Sequence, residues 1–298
     1  MASVVLERVL NVIVLGPGYP DARTQDLFLM SSFWNVTILI VSYLFVIYWV
    51  GPAFMSRFSE PLDTYSYLVW HNLFLVIANA LFGLSLLACL VYSNQNLLCE
   101  PVRQGDVASD LIAYLMYALL LLKIFELGDA FALVCKKLDP PFILIFHHVT
   151  IVAVVWVGVK YGPGGSATFP TLLNSLIHVL IYLHFKYGRR HLSQQQSRKI
   201  FILIYFVQFI VVTFLSGSAM YYKCGYPDWV AAVSILYNIT LMLVYVRSVW
   251  SLWCTVRPVE YPSSSSSSSS ESEDEIVLEH GKASTTTNKS TPHNNKKK

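Results

Sequence analysis

The chain has 298 residues, 55% of them hydrophobic and 13% charged, with a formal net charge of +3. A soluble domain carries about 25% charged residues, so neither a soluble globular enzyme nor a nucleic-acid-binding protein is expected. Long apolar runs recur instead, and a helix needs roughly 20 mostly apolar residues to cross a bilayer.

The first residues, MASVVLERVLNVIVLG, have no basic leader, and Glu7, Arg8 and Asn11 interrupt the apolar stretch. They read as an interfacial helix rather than a signal peptide. Seven spans follow, near 33–50, 65–93, 108–133, 142–160, 168–187, 199–222 and 229–253. Polar turns such as GPAFMSRFSEPLD and KKLDPP separate them. From 258 the composition changes to a serine run followed by acids, RPVEYPSSSSSSSSESEDE, which cannot bury a core and reads as disordered. Its serines are either phosphorylation sites or part of a passive solvated tail. The layout expected is a segment 1–32, a seven-helix membrane domain 33–257 and a cytosolic tail 258–298. The fold class is all-α and polytopic.

Seven spans put the two ends on opposite sides. Arg57, Lys136, Lys137, Lys186, Arg189, Arg190, Arg198, Lys199 and Arg257 then share one side. Arg8, Arg23, Arg103, Lys160 and Lys223 share the other. The basic excess places the C-terminus in the cytosol. Of the five cysteines, only Cys99 and Cys224 fall in loops on the far side, where disulfides persist. A Cys99–Cys224 bridge closing that end of the bundle is expected, with two free thiols as the alternative.

Ionisable residues inside spans are rare and usually functional. Residues 123–151 read KIFELGDAFALVCKKLDPPFILIFHHVTI. On one continuous helix Lys123, Glu126 and Asp129, three apart, form an oblique stripe. One cation and two anions could neutralise each other there, as a functional cluster or merely as a packing network. His147 and His148 point about 100° apart, so one can face a cavity while the other reaches a neighbouring helix. Asn174, His178 and Tyr182, four apart, share one face. A metal site is disfavoured. Only one His doublet exists, Leu144 stands where an HxxHH box needs its first His, and no Cys pair has ligand spacing. Covalent catalysis fits better: a neutral imidazole attacks a thioester, and the acylimidazole waits in a slot that excludes water.

Several segments together resemble the ELO family of fatty acid elongases. KIFELGD at 123–129 matches the family's KxxExxD motif, and FILIFHHVTI at 142–151 matches the region of its HxxHH box. NSLIHVLIYLHF at 174–185 resembles NSxxHVxMYxYY. DARTQDLFLMSS at 21–32, GP at 51–52 and YPDWVAAVSILYNITLMLVY at 226–245 resemble the segments around the first span and in the last. The resemblance covers roughly residues 20–255. Leu144, Ala130, Ile202, Leu203 and Tyr205 depart from the pattern, while Gln208 is retained.

The resemblance implies seven transmembrane helices, six of them forming a barrel around an acyl-chain tunnel. It implies an endoplasmic reticulum protein, N-terminus luminal, that condenses acyl-CoA with malonyl-CoA to give 3-oxoacyl-CoA. His147 would be the nucleophile and His178 its partner. His148, Asn174, Glu126 and Asp129 would orient imidazoles or stabilise charge, and Lys123 would neutralise the two acids. Lys136, Lys137, Lys186, Arg189, Arg190 and Lys199 would meet the phosphates of coenzyme A. No metal and no redox cofactor is implied, and a reductase and a dehydratase would complete the elongation cycle. Two alternatives are a non-catalytic, elongase-like acyl-binding subunit and a seven-helix lipid transporter or receptor. Chain-length preference would depend on where the tunnel closes.

Overall fold

A computed structural model describes residues 19–187 and 194–255, with side chains for 19–184 and 199–247. The segments 1–18, 188–193 and 256–298 lie outside the described residues, and with them the expected interfacial helix, Arg189, Arg190 and the serine-rich tail. The Lys186 side chain lies outside them as well.

Helix α1 (Phe33–Phe45) begins at Ser32, whose hydroxyl accepts the Trp34 N–H, an ordinary N-cap. It runs on through a π-helical turn, Val46–Val50, into α2 (Gly51–Met55). Pro52 follows just after the π-helical turn, and this span extends five residues beyond the expected 33–50. There follow α3 (Tyr65–Tyr92), α4 (Val107–Phe125), α5 (Gly128–Cys135) and α6 (Phe142–Tyr161). A 3-10 turn, Gly165–Ala167, leads to α7 (Thr168–Tyr187), α8 (Gln194–Tyr222) and α9 (Asp228–Thr255). Asp106 caps α4 by accepting from the Ser109 N–H.

Among the described residues, six helices are long and apolar enough to cross a membrane: α1 with α2, α3, α6, α7, α8 and α9. The chain is a multi-pass membrane protein. The remaining expected span, 108–133, is not one helix. At Glu126–Leu127 the hydrogen bonding tightens to three-residue steps, from Leu127 N–H to the Ile124 carbonyl and from Asp129 N–H to that of Glu126. Close packing on α3 accompanies the break. A Cβ at Gly128 would collide with the Tyr67 hydroxyl and come 2.9 Å from His71 Cε1. Downstream, Lys137 takes a positive φ of 57° beyond the end of α5, and Leu138 N–H returns to the Leu133 carbonyl, a left-handed helix stop.

Six helices close a ring. Going round it, α4 packs on α3, α3 on α7, α7 on α8, α8 on α9, α9 on α6, and α6 back on α4. Helix α1 stays outside the ring, against α6, and α2 packs on α5. One large apolar cluster includes Leu86, Ile112, Met116, Leu120, Val152, Trp156 and Val230. A second joins Ile47 and Met55 to Ala130, Val134 and Ile145.

One end of the ring is tied down. Cys99 and Cys224 are bonded, with Cα atoms 5.7 Å apart, linking the α3–α4 loop to the α8–α9 loop. The segment 19–32 lies over the end of α6. Asp21 N–H donates to the Lys160 carbonyl at 2.7 Å and Thr24 Oγ1 to the Val159 carbonyl at 2.8 Å. In return, Trp156 Nε1 donates to the Leu29 carbonyl and Lys160 Nζ to that of Met30. Arg23 then joins the Asp21 and Asp110 carboxylates and the Ser109 carbonyl.

Candidate active site

A cavity of about 140 Å³ opens between α4, α6, α7, α8 and α9. Its lining is mostly aliphatic, with Met116, Leu119, Ile151, Val155, Phe209 and Val230 among the walls. Its polar lining comprises His147, Asn174, Gln208, Tyr237 and Asn238, with the hydroxyls of Ser166, Thr171, Ser216 and Ser234. On α6 the lining continues from His147 to Gly158, about 16 Å along the helix axis. It ends at Gly162, Ser166 and Tyr226, next to the disulfide end. A Cβ at Gly158 would meet nothing within 4 Å, so this glycine leaves the cavity open.

Beside the cavity lies a buried network drawn from five helices, α3 to α7. Lys123, at the end of α4, is fully buried and donates to both oxygens of Glu126, at 2.9 and 3.1 Å. Its ammonium is also 3.3 Å from His178 Nε2 on α7. An ammonium has protons and no lone pair, so Nε2 accepts and the His178 proton resides on Nδ1. That nitrogen is 3.2 Å from Glu126 Oε1, out of line for a good hydrogen bond. Both imidazole nitrogens of His178 therefore face the Lys123–Glu126 pair.

Asp129 belongs to a second group. His71 Nε2 on α3 lies 2.9 Å from Asp129 Oδ1, and Tyr182 on α7 donates to Oδ2 at 3.0 Å. His148 Nε2 on α6 stands 3.5 Å from the same Oδ2. The other face of His71 meets the Tyr67 hydroxyl, 3.4 Å from Nδ1. The adjacent histidines of α6 thus diverge. His148 turns to the carboxylate, while His147 lines the cavity with its Nδ1 3.0 Å from the Tyr237 hydroxyl on α9.

This geometry corrects one expectation. Lys123, Glu126 and Asp129 do not form a single self-neutralising stripe, because the helix breaks between Glu126 and Asp129. Lys123 pairs with Glu126 alone, and Asp129 is served by His71, Tyr182 and His148. The face shared by Asn174, His178 and Tyr182 is present, and its members diverge in what they touch. Asn174 lines the cavity, His178 meets the Lys123–Glu126 pair, and Tyr182 joins the Asp129 group. His71, Tyr67 and Tyr237 were not singled out from the sequence. His71 had a signal, an ionisable residue in the second apolar run. The tyrosines had none, since aromatic residues in spans are ordinary.

Of the cations expected to meet phosphates, Lys137 donates to the Phe58 and Ser59 carbonyls, which fixes the α2–α3 loop. Lys136 is half-buried and Lys199 exposed, both away from the disulfide end. Leu144 packs with the second apolar cluster, which also contains fully buried Ala130. Two departures from the elongase pattern thus share one apolar cluster.

The family model for the ELO (GNS1/SUR4) family matches residues 28–253. The chain belongs to the ELO family. It is similar to very long chain fatty acid elongase 5 of Tachysurus fulvidraco, 25% identical over 76% of this chain and 78% of that protein. It is 26% identical to elongase 1 of Mus musculus, over 82% of this chain and 90% of the relative. Elongase 4 of Mus musculus is 25% identical over 76% and 74% of the two chains. Membership supports an enzyme role in fatty acid elongation, on acyl-CoA substrates and in a membrane. The matched span includes every residue of the buried network and of the cavity.

Proposed function

We propose that this ELO-family chain is the condensing enzyme of elongation, joining a long-chain acyl-CoA to malonyl-CoA to give 3-oxoacyl-CoA, CoA and carbon dioxide. The observation that carries the reading is His147, an imidazole lining a mostly aliphatic cavity. An acyl chain lies along the aliphatic walls toward Gly158 and Tyr226, and its thioester stays at the level of His147 and Asn174. His147 attacks the thioester carbonyl and coenzyme A leaves. Malonyl-CoA then loses carbon dioxide, and its enolate attacks the acylimidazole, freeing His147. Water exclusion by the closed ring protects the intermediate. Asn174 supplies a donor to the oxyanion, and the Lys123 ammonium, held by Glu126 and His178, supplies positive charge behind it. Glu126 and Asp129 hold the histidines in place.

The coenzyme A phosphates meet cations at the end away from the disulfide: Lys136, Lys137 and Lys199, with Lys186, Arg189 and Arg190. That end faces the cytosol in this reading, and the disulfide end faces the endoplasmic reticulum lumen, where oxidation is permitted. A separate reductase and dehydratase complete the cycle. The test is purified protein in liposomes with labelled malonyl-CoA and a panel of acyl-CoAs. Labelled 3-oxoacyl-CoA and release of carbon dioxide are expected. Tight acyl-CoA binding without either product would leave the non-catalytic acyl-binding reading in its place.

A further inference from the structure

Two glycines at the disulfide end of α6 line the cavity, and they differ in the room beside them. Gly158 lies about 16 Å from His147 along the helix axis. A Cβ there would have no atom within 4 Å. One turn earlier, Val154 and Val155 carry side chains on the same lining. Gly162, just past the end of α6 and about 22 Å from His147 on the same count, has no such room. A Cβ there would come 3.3 Å from Tyr226 Cε2, so the phenol ring already fills that space. Glycine inside a helix is unfavourable for the helix itself, so helix formation does not account for Gly158. The space it leaves does.

The Tyr226 ring is firmly held. It is buried and stands two residues after Cys224, in the bridged α8–α9 loop. Gly225 between them takes a positive φ of 89°, a turn that favours glycine. A Cβ at Gly225 would lie 3.4 Å from Pro101 Cβ, so the turn packs on the α3–α4 loop. With its thioester at His147, an extended decanoyl chain ends short of Gly158. A palmitoyl or stearoyl chain passes Gly158 and ends near Gly162. We propose that Gly158 and Tyr226 determine acyl length: the absent side chain at Gly158 lets the chain pass, and the Tyr226 ring stops it, which makes palmitoyl and stearoyl thioesters the substrate class. The inference rests on the reading of the cavity as the acyl site.

Both residues act through volume. Each methylene taken into the cavity favours binding for as long as there is room. A methylene beyond the floor must displace Tyr226 and the loops that hold it, and forcing extra volume into packed space is unfavourable. A side chain at position 158 would move that limit about 6 Å nearer His147. A smaller residue at position 226 would move it the other way. The two positions therefore predict shifts of opposite sign.

The test uses the full chain in liposomes with labelled malonyl-CoA and an equimolar mixture of decanoyl-, palmitoyl-, stearoyl- and docosanoyl-CoA. The ratio of products within one preparation is read, because partial unfolding leaves a ratio unchanged. Wild type should extend stearoyl-CoA at least about tenfold better than docosanoyl-CoA. Gly158→Leu should lower the stearoyl-to-decanoyl ratio at least about tenfold, and Gly158→Ala by less. Tyr226→Leu should raise the docosanoyl share. Gly217→Leu is the control. Gly217 on α8 also has nothing within 4 Å of a Cβ, but it does not line the cavity, and its ratios should match wild type. Unchanged ratios in Gly158→Leu, an equal shift in Gly217→Leu, or docosanoyl extended by wild type as readily as stearoyl overturns the proposal. An unchanged docosanoyl share in Tyr226→Leu overturns the ring as the stop. Displacement of bound radiolabelled palmitoyl-CoA by the same thioesters separates this inference from the reading beneath it. A wild type that forms no product, but whose length-dependent binding is shifted by Gly158→Leu, supports the length assignment and overturns the condensing reading.

Discussion

The disulfide end and the centre of the ring both bury charge, and they satisfy it in different ways. At the disulfide end charged side chains are shared between backbone carbonyls and nearby carboxylates. Lys160 donates to the Met30 carbonyl, and Arg23 to Ser109, with the Asp21 carboxylate alongside. At the centre the partners are other side chains: Lys123, Glu126 and His178 in one group, Asp129, His71, Tyr182 and His148 in the other. Charge shared in that way ties a segment to a helix and can do little else. A network of side chains from different helices can be altered one group at a time, and it sits beside a cavity. If this contrast is right, damage at the centre should remove chemistry, and damage at the disulfide end should remove stability.

The most severe loss is expected from His147→Ala and His178→Ala. Each should lower condensation by about a thousandfold or more, while the protein elutes and melts close to wild type. Near-normal product from either variant would take that residue out of the chemistry.

Glu126→Gln comes next and should affect both properties. It leaves the Lys123 ammonium buried with no anion, a defect of about 3–5 kcal/mol. The thermal midpoint should fall, and adding Lys123→Met should recover much of it without recovering activity. A single variant as stable as wild type would mean that the ion pair is replaceable. Cys99→Ser acts on the other region. Opening a bridge across 125 residues should cost about 2–5 kcal/mol, with turnover at low temperature unchanged. A fall in turnover before any unfolding would show that the disulfide end also shapes the cavity.

Leu144→His restores a residue of the elongase pattern but places an imidazole in the cluster of Ile47, Met55, Ala130, Val134 and Ile145. About 1–3 kcal/mol of destabilisation is expected, with no gain in condensation. Adding Ala130→Ser, a neighbour in the same cluster, should soften the loss. A clear rise in activity from Leu144→His alone would place the first His position of the box back among the working residues.

These cases also show what the sequence could reveal. The spans were legible because hydrocarbon demands long apolar helices and makes Lys123, Glu126, Asp129 and His147 conspicuous. The partition into two charged groups was not. It depends on a helix break where Gly128 meets Tyr67 and His71 from α3, and no periodicity within residues 123–129 reports on α3. The Tyr237–His147 contact joins residues 90 apart by the closure of α9 onto α6, and a tyrosine in an apolar run is otherwise indistinguishable from packing. Leu144 was visible as a departure, but its apolar neighbours were not.

The smallest effect concerns pH at the disulfide end. Burial pushes the Asp21 carboxyl up, but hydrogen bonds and charge from Arg23, with the Gln104 amide, outweigh it and hold the carboxyl below its usual range. A carboxyl depressed on folding stabilises the fold above its unfolded value, about 3.9, and that contribution is lost as pH falls through the lower folded value. Arg23 keeps the Asp110 carboxylate and the Ser109 carbonyl when Asp21 is neutralised, so the segment 19–32 should loosen rather than detach. Melting of wild type and Asp21→Asn in detergent, compared from neutral pH down to about pH 3, reads the effect. The two midpoints should differ at neutral pH and converge in acid, because only wild type loses a carboxylate. A gap that persists unchanged into acid would mean that the Asp21 side chain acts there through shape rather than charge, and the disulfide end would then owe its hold to the backbone contacts and the bridge alone.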